Sequence, residues 1–465
     1  MSDTPDLQGS SLERRKFLRV AGAGLTGLGI LPVLAACGSS SSSSAGSTAG
    51  STAGAAATAS GTSGTVPGIA AIKQFLGFDT LSAATLGTGK TIAMTAQLPL
   101  TGTYAYYGVV FGNGLKLAAQ HIKAMDGPTI NLTFQDNKSP DPQTIISGTR
   151  QIISEGQQFM ITSVSGNFGA ILPTLASTNN IVCLNTTEGY GVPPELGAKN
   201  YWETDGNISL CLPFVGQYLQ GALPGKSKMA LVSSDQGAKA NAALNTSVSS
   251  ALIGGWKLVN AQYVPAGTND YTSVVSRVGE ANPDVVACAL GSGAFGQFVK
   301  AYRQAGLQGT IIVYGSPPSI DDYQAVGSVL AGVVYLGPLF NLSDPGNPWG
   351  DFFLAEYNAA YGKKPGEPDI YATNFYVNLF TWWQLWQKAW ATGVEPTAVL
   401  VNQYLEASPT LKTILGGNQT TVGTTVVHGN THFADMLQGA YEIQADFSFK
   451  QIATSGPAGL GYTKL

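Results

Sequence analysis

The feature that most constrains this chain is a rhythm that runs once and then starts again. Beginning near residue 90, short β-branched and apolar runs alternate with longer amphipathic stretches. TIAMTAQL (91–98) reads as a strand, GVVFGNGLKLAAQHIKAMDG (108–127) as a helix closed by glycine, and TINLTFQD (129–136) as a strand. PQTIISGTRQIISEG (142–156) reads as a helix and FMITSVS (159–165) as a strand. A helix then starts in GNFGAILPTLA, and NIVCLN (180–185) is a further strand. The pattern restarts with strands at MALVSSD (229–235), WKLVNAQYV (256–264), DVVACAL (284–290), TIIVYGS (310–316) and GVVYLG (332–337), with helical stretches between the earlier of them. Strands that alternate with helices build a parallel sheet covered on both faces. The expected fold class is therefore α/β, as two similar units in tandem, each a parallel sheet flanked by helices. Two more helices follow, WGDFFLAEYNAAYG and DIYATNFYVNLFTWWQLWQKAWATG, and YEIQADFSF (441–449) alternates like a strand. Within the second helix, FTWWQLWQKAW carries Gln384, Gln387 and Lys388, too many polar groups for a bilayer span. It reads as a helix packed between the two units.

Open α/β sheets hold their ligands outside the carboxyl ends of the strands. Six turns stand at such ends: PLTGTYAYYG (99–108), VSGNFG (164–169), LNTTEGY (184–190), SSDQGAK (233–239), LGSGAFG (290–296) and YGSPPSIDD (314–322). Helix N-termini there offer unpaired N–H groups and partial positive charge, which suits a carboxylate. Ser, Thr and Asn in the same turns add hydroxyl and amide partners. Six such turns divided between two units predict a cleft for a small polar solute.

Other motifs fit poorly with chemistry. GSGAFG (291–296) matches G-x-G-x-x-G between a strand and a helix, yet the next strand, TIIVYGS, ends without the acid that would hold a ribose. GTGKT (87–91) lacks the first glycine of a phosphate loop and precedes a strand rather than a helix. His428 and His432 are four apart in VVHGNTH, but Gly429 and Asn430 make that a turn, and no carboxylate accompanies them. With three histidines in all, a Ser-His-Asp arrangement has few candidates. The expectation is no catalysis, no cofactor and no metal. The net charge of −4 and the absence of a basic patch exclude nucleic acid as a partner class.

The first 65 residues read as processing and tethering. ERRKFLR is basic, residues 20–36 are apolar but broken by Gly22, Gly24, Gly27, Gly29 and Pro32, and Cys37 follows LAA. Charge, apolar run and small-residue site is the order of an export signal. Arg14-Arg15-Lys16-Phe17-Leu18 resembles a twin-arginine signal, with Glu13 where Ser or Thr is usual. Leu34-Ala35-Ala36-Cys37 resembles the lipobox of bacterial lipoproteins, which implies cleavage before Cys37 and its lipidation. Residues 38–65 contain only Gly, Ser, Thr and Ala and have nothing to bury, so they should form a flexible tether. Of the remaining cysteines, Cys183, Cys211 and Cys288, at most one pair can bridge.

From PLTGTYAYYGVVFGNGLKLAAQHI through YVPAGTNDYTSVVSRVGEANPDVVACALGSGAFGQFVKAYRQAGLQGTIIVYGS, the chain resembles the periplasmic binding proteins of the leucine/isoleucine/valine-binding type. The resemblance implies two α/β lobes joined by three crossings. It places residues 1–36 in a signal peptide, 37–89 in a lipid-anchored linker, 90–205 with 338–425 in the first lobe, and 206–337 with 426–465 in the second. It implies a monomeric, extracytoplasmic, lipid-anchored subunit that delivers a solute to an ABC permease and its ATPase. A sensory receptor of the same fold and, from GSGAFG, an NAD-type oxidoreductase are the alternative readings. Tyr107, Ser165, Gly166, Asn167, Asn185, Thr186 and Thr187 stand at or near the turns with which such proteins grip a ligand carboxylate. Asp235, Gln236 and Ser292 occupy the facing turns of the second lobe. Two departures from the resemblance stand out: SSDQGAK has no tyrosine, and YGSPPS has proline where a carboxylate is expected. Asp235, Asp321 or Glu188 could take over that carboxylate's role.

Overall fold

The computed structural model describes residues 66–465, apart from 103, 139–140, 164–170, 187–198, 205–207, 236, 266, 316, 339–346, 365–369, 419–420, 431, 435–436 and 457–459. The tandem rhythm becomes two eight-stranded sheets. In the first, β1 (Thr91–Leu98), β2 (Thr129–Asp136), β3 (Phe159–Ser163), β4 (Val182–Thr186) and β5 (Tyr201–Glu203) pair in parallel in the order 2-1-3-4-5. In the second, β6 (Lys228–Ser234), β7 (Lys257–Val264), β8 (Val285–Ala289), β9 (Thr310–Tyr314) and β10 (Val334–Pro338) repeat that order. This order reverses between the first and third strands of each lobe, and ligands of such sheets bind at that reversal.

Further strands extend each sheet, antiparallel to one another. β11 (Thr410–Asn418), β12 (Thr421–His428) and β13 (Phe433–Ala434) join the first through β5, to which β13 runs parallel. β14 (Gln438–Ile443), β15 (Phe449–Thr454) and β16 (Thr463–Lys464) join the second through β10, to which β14 runs antiparallel. Two sequence expectations change here. The boundary at 425/426 falls inside β12, and the chain does not leave the first sheet until after Ala434. YEIQADFSF is a hairpin rather than one strand: Asp446 accepts from the Ser448 amide at 3.1 Å, and Phe447 turns the chain with φ 68°. The other crossings lie between Glu203 and Ile208 and between Pro338 and Pro348.

The linker expected to reach residue 89 stops sooner. Residues 66–89 include Ile72, Leu76, Phe78 and Leu86, all buried, so this stretch has apolar surface to hide where the preceding Gly/Ser/Thr/Ala segment has none. It forms α1 (Ile69–Phe75) and α2 (Ala83–Leu86) against the first lobe. Lys412, on β11, places its ammonium on the Leu76 carbonyl at the C-terminal end of α1 and 5.0 Å from the Phe78 ring. A cation there meets the negative end of the helix dipole. Lys73 reaches Asp126 at 2.7 Å.

The longest helices are α3 (Ala105–Ala124), which follows β1, and the 22-residue helix Ile370–Ala391. Between them in the chain lie α4 (Pro142–Ser154), α5 (Ile171–Thr178), α6 (Ile208–Ala222), α7 (Ala238–Ala251), α8 (Thr272–Glu280), α9 (Ala294–Gln304), α10 (Ile320–Val326) and α11 (Pro348–Tyr361). The 22-residue helix is therefore α12, and α13 (Ala398–Glu406) follows. The tryptophan-rich α12 is buried on nearly every side inside the first lobe, against α3, α2, α13, β4 and β11, and its first turn approaches the second lobe through Tyr371. No helix among the described residues is long and apolar enough to cross a membrane.

Candidate functional site

At the carboxyl end of β1 the chain turns through Gly102 and enters α3. Its N-cap residue, Tyr104, makes no side-chain capping hydrogen bond of its own. Tyr107, in the first turn, sits in a cluster of rings. Its centroid is 5.3 Å from Tyr106, 6.2 Å from Tyr104 and 5.6 Å from Tyr371 at the start of α12. Phe111 lies behind it, edge-on to Tyr371 and stacked on Phe375 at 4.2 Å. Burial raises the Tyr104 phenol above its ordinary pKa, so it stays neutral. These rings form a phenolic shelf at the mouth of the first lobe.

The shelf touches the second lobe. The Tyr371 hydroxyl lies 3.4 Å from the carbonyl oxygen of Gly315, the residue after β9, and Tyr335 of β10 reaches the same oxygen at 3.4 Å. The carboxyl end of a second-lobe strand thus faces the N-terminal ends of α3 and α12.

On β4, neighbouring residues point to opposite faces, and Asn185 and Thr186 have different roles. Thr186 is buried against α12; its hydroxyl accepts from Asn378 at 2.8 Å and lies 3.2 Å from the Thr204 hydroxyl. Thr204 in turn bonds the Asn185 carbonyl through its amide at 3.0 Å. Thr186 therefore ties the residue that opens the first crossing to the lobe. Asn185 is also fully buried, yet neither its amide nitrogen nor its amide oxygen has a hydrogen-bond partner among the described residues. A buried amide left so costs about 1–3 kcal/mol. It pairs in register with Thr162 on one side and with the buried Glu203 on the other. Sequence reading missed Glu203, because YWETD shows no alternation that would mark its acid as facing inward.

In the second lobe, Asp235 caps the start of α7. It accepts from Asn241 at 2.8 Å and from the Gly237 amide at 2.9 Å, and these bonds, Asn241's first, hold its carboxyl below the usual carboxylate range. Ser292 donates to Ser319 at 2.6 Å and to Asp321 at 2.9 Å. The structure therefore places Asp321, an exposed acid in the first turn of α10, beside a serine that the sequence had marked. The next acid, Asp322, is buried and accepts from the amides of Gly296 at 2.7 Å and Ser319 at 2.8 Å. Ser165, Gly166, Asn167, Thr187, Gln236 and Glu188 lie outside the described residues, as does Cys37.

The remaining motifs have structural explanations. In GSGAFG, a β-carbon on Gly296 would come within 3.1 Å of the Asp322 backbone, so the last glycine lets α9 pack on α10. In GTGKT, Gly87 ends α2 in a left-handed conformation (φ 76°) beneath the Trp390 ring, and Lys90 pairs with Glu395. His432 stacks on Trp202 at 3.7 Å and its Nδ1 lies 2.9 Å from the Tyr201 carbonyl, while burial lowers its pKa. Cys183, Cys211 and Cys288 are free thiols, each buried.

A family model described as periplasmic binding protein matches residues 91–436. A curated relative, "Leu/Ile/Val-binding protein homolog 3" from Brucella melitensis, is 24% identical over 259 residues, 54% of this chain and 68% of the relative. Among solved structures, the LivJ substrate-binding protein of Streptococcus pneumoniae in complex with isoleucine superposes with a TM-score of 0.65 at 17% identity, over 81% of this chain and 100% of that one. An ABC-transporter solute-binding protein from R. palustris in complex with 4-hydroxybenzoate gives 0.64 at 19% identity, over 79% and 98%.

Proposed function

From the premise that this chain belongs to the periplasmic binding protein family, we propose that it is the extracytoplasmic solute-binding subunit of an ABC importer and performs no catalysis. A small carboxylate-bearing solute enters between the lobes, the hinge closes, and the permease reads the closed state. The observation that carries this reading is the approach of Tyr371 to Gly315, which opposes the N-terminal end of α12 to the carboxyl end of a second-lobe strand. The N-terminal end of α3, with its partial positive charge, and the unspent amide of Asn185 suit the carboxylate. Ser292 and Asp321 suit a hydroxyl or ammonium group at the other end of the solute. The phenolic shelf favours an aromatic acid over a branched-chain amino acid, since aromatic rings gain about 0.5–1.5 kcal/mol from ring contacts beyond their area.

A thermal-shift screen of aromatic acids, amino acids and short carboxylates tests this. A ligand at a hundred times its Kd should stabilise the fold by about 2.7 kcal/mol. A hydroxylated benzoate should shift the transition further than isoleucine at equal concentration; no shift with any carboxylate would sink the reading.

The location is proposed from the sequence order of basic segment, apolar run and LAAC. Export through a twin-arginine route and lipidation of Cys37 would hold the folded lobes at the outer face of the cell membrane, on a tether of on the order of 30 Å. Cys37→Ser should move the protein from the membrane fraction to the soluble one. Continued retention in membranes would count against the anchor.

A further inference from the structure

We infer that Asp136, at the end of edge strand β2, is a positioning residue for the first ligand turn, an inference that rests on the solute-binding reading above. β2 lies outside the β1–β3 reversal where a ligand sits, so Asp136 acts through its neighbours. Its carboxylate gathers the turn that follows β1. Oδ1 accepts from the amides of Leu100 at 3.0 Å, Thr101 at 3.1 Å and Lys138 at 2.8 Å, and Oδ2 accepts from the Thr101 hydroxyl at 2.5 Å. Three backbone amides and a hydroxyl on one ionised carboxylate make a set of charge-assisted bonds, stronger than neutral ones.

Burial opposes ionisation of Asp136, but the Thr101 hydroxyl and the amides of Lys138, Thr101 and Leu100 outweigh it, and the carboxyl sits below its usual range. The next residue does a parallel job. Asn137 is buried, its amide nitrogen donates to the Ser163 carbonyl at 3.1 Å, and its backbone N–H donates to Leu98 at 2.8 Å. The last residue of β2 and the one after it thus tie down the ends of β1 and β3, the two strands that flank the reversal. The turn fixed by Asp136 leads directly to Tyr104 and Tyr107.

The test compares the wild-type chain with Asp136→Ala, Asp136→Asn and Thr101→Val. It reads amide hydrogen exchange at Leu100 and Thr101, the urea midpoint, and affinity for two probes, 4-hydroxybenzoate and isoleucine. Losing its bond to a charged group should speed exchange at the Thr101 amide by about tenfold or more in Asp136→Ala, and less at the Leu100 amide, which also reaches the Leu98 carbonyl at 2.9 Å. Asp136→Asn, which keeps one acceptor oxygen and no charge, should fall between. Affinity for whichever probe binds, measured where each variant is fully folded, should drop about tenfold, and the urea midpoint should fall as well. Unchanged exchange overturns the inference whatever the probes do. Faster exchange with unchanged affinity overturns the positioning role. If Asp136→Ala fails to fold, Asp136→Asn and Thr101→Val decide by the same readouts. A wild-type protein that binds neither probe counts against the proposed solute class, and exchange alone then judges whether Asp136 holds the turn.

Discussion

Trp383→Ala should destabilise the protein by about 3–5 kcal/mol and release the segment that precedes β1. Trp383 is fully buried on α12, edge-on to Phe78 at 4.9 Å, and its indole N–H donates to the Leu86 carbonyl at 2.9 Å. One side chain therefore holds both Phe78, in the turn that follows α1, and the last residue of α2. Truncation removes the ring contacts, leaves a cavity beneath Phe78, and strips the Leu86 carbonyl of its donor. The loss is measured as a fall in urea midpoint, with limited proteolysis mapping the first new cuts to residues 66–90. Trp383→Phe separates the terms: it keeps most of the ring and deletes only the hydrogen bond, a loss of about 1 kcal/mol. An unchanged midpoint in Trp383→Ala, with no new cuts before β1, would show that the segment is held by other contacts. The segment lies before the residues matched by the family model, and it packs at the amino-terminal end of β1, away from the strand ends that form the cleft.

The ten parallel strands show how far periodicity reaches. Runs such as MTAQL within β1 and VVAC within β8 are buried on both faces, and their apolar content marks them without help from tertiary structure. What periodicity misses is short or conditional. β5 has only three residues, and its pairing with β4 and β13 creates it. The helices α1 and α2 are too short to be stable alone and exist because Trp383, Trp390 and Lys412 receive them. The site was legible as turns but not as side chains. Strand parity alone separates Asn185 from Thr186: Val182, Leu184 and Thr186 share one face, Cys183 and Asn185 the other. Which face meets α12 is a tertiary fact. Asp136 carried a signal, an acid ending a strand before Asn-Lys-Ser, which favours side-chain-to-backbone bonds in a turn. Its real partners, Leu100 and Thr101, lie 36 and 35 residues away in the chain, beyond any local pattern.

Gly114→Ala and Gly112→Ala, two residues apart on one helix, should move stability in opposite directions. Replacing a helical glycine by alanine gains about 0.5–1 kcal/mol in backbone entropy where there is room. At Gly112 there is room: the nearest atom to an added β-carbon is the Leu98 methyl at 3.8 Å. At Gly114 there is none, since that β-carbon would lie 2.2 Å from the Ala372 carbonyl oxygen and 3.2 Å from the Tyr376 amide nitrogen. A backbone carbonyl within a helix cannot rotate away, so α3 and α12 must separate. The separation loosens buried rings packed along both helices, and overpacking of this kind costs about 1–3 kcal/mol, and more for a larger side chain. Gly114→Val should therefore approach the limit of folding. The same helix pair carries Tyr107 and Tyr371 at its cleft end, 5.6 Å apart. A Gly114→Ala protein that folds should thus also bind its solute more weakly, although residue 114 lies more than a turn beyond the shelf. Equal urea midpoints for the two alanine variants would mean that the helices tolerate separation and that backbone contact does not set the crossing. Equal midpoints for Gly112→Ala and the wild type would challenge only the entropy gain. A loss of affinity confined to Gly114→Ala would tie the closeness of α3 and α12 to the geometry of the phenolic shelf.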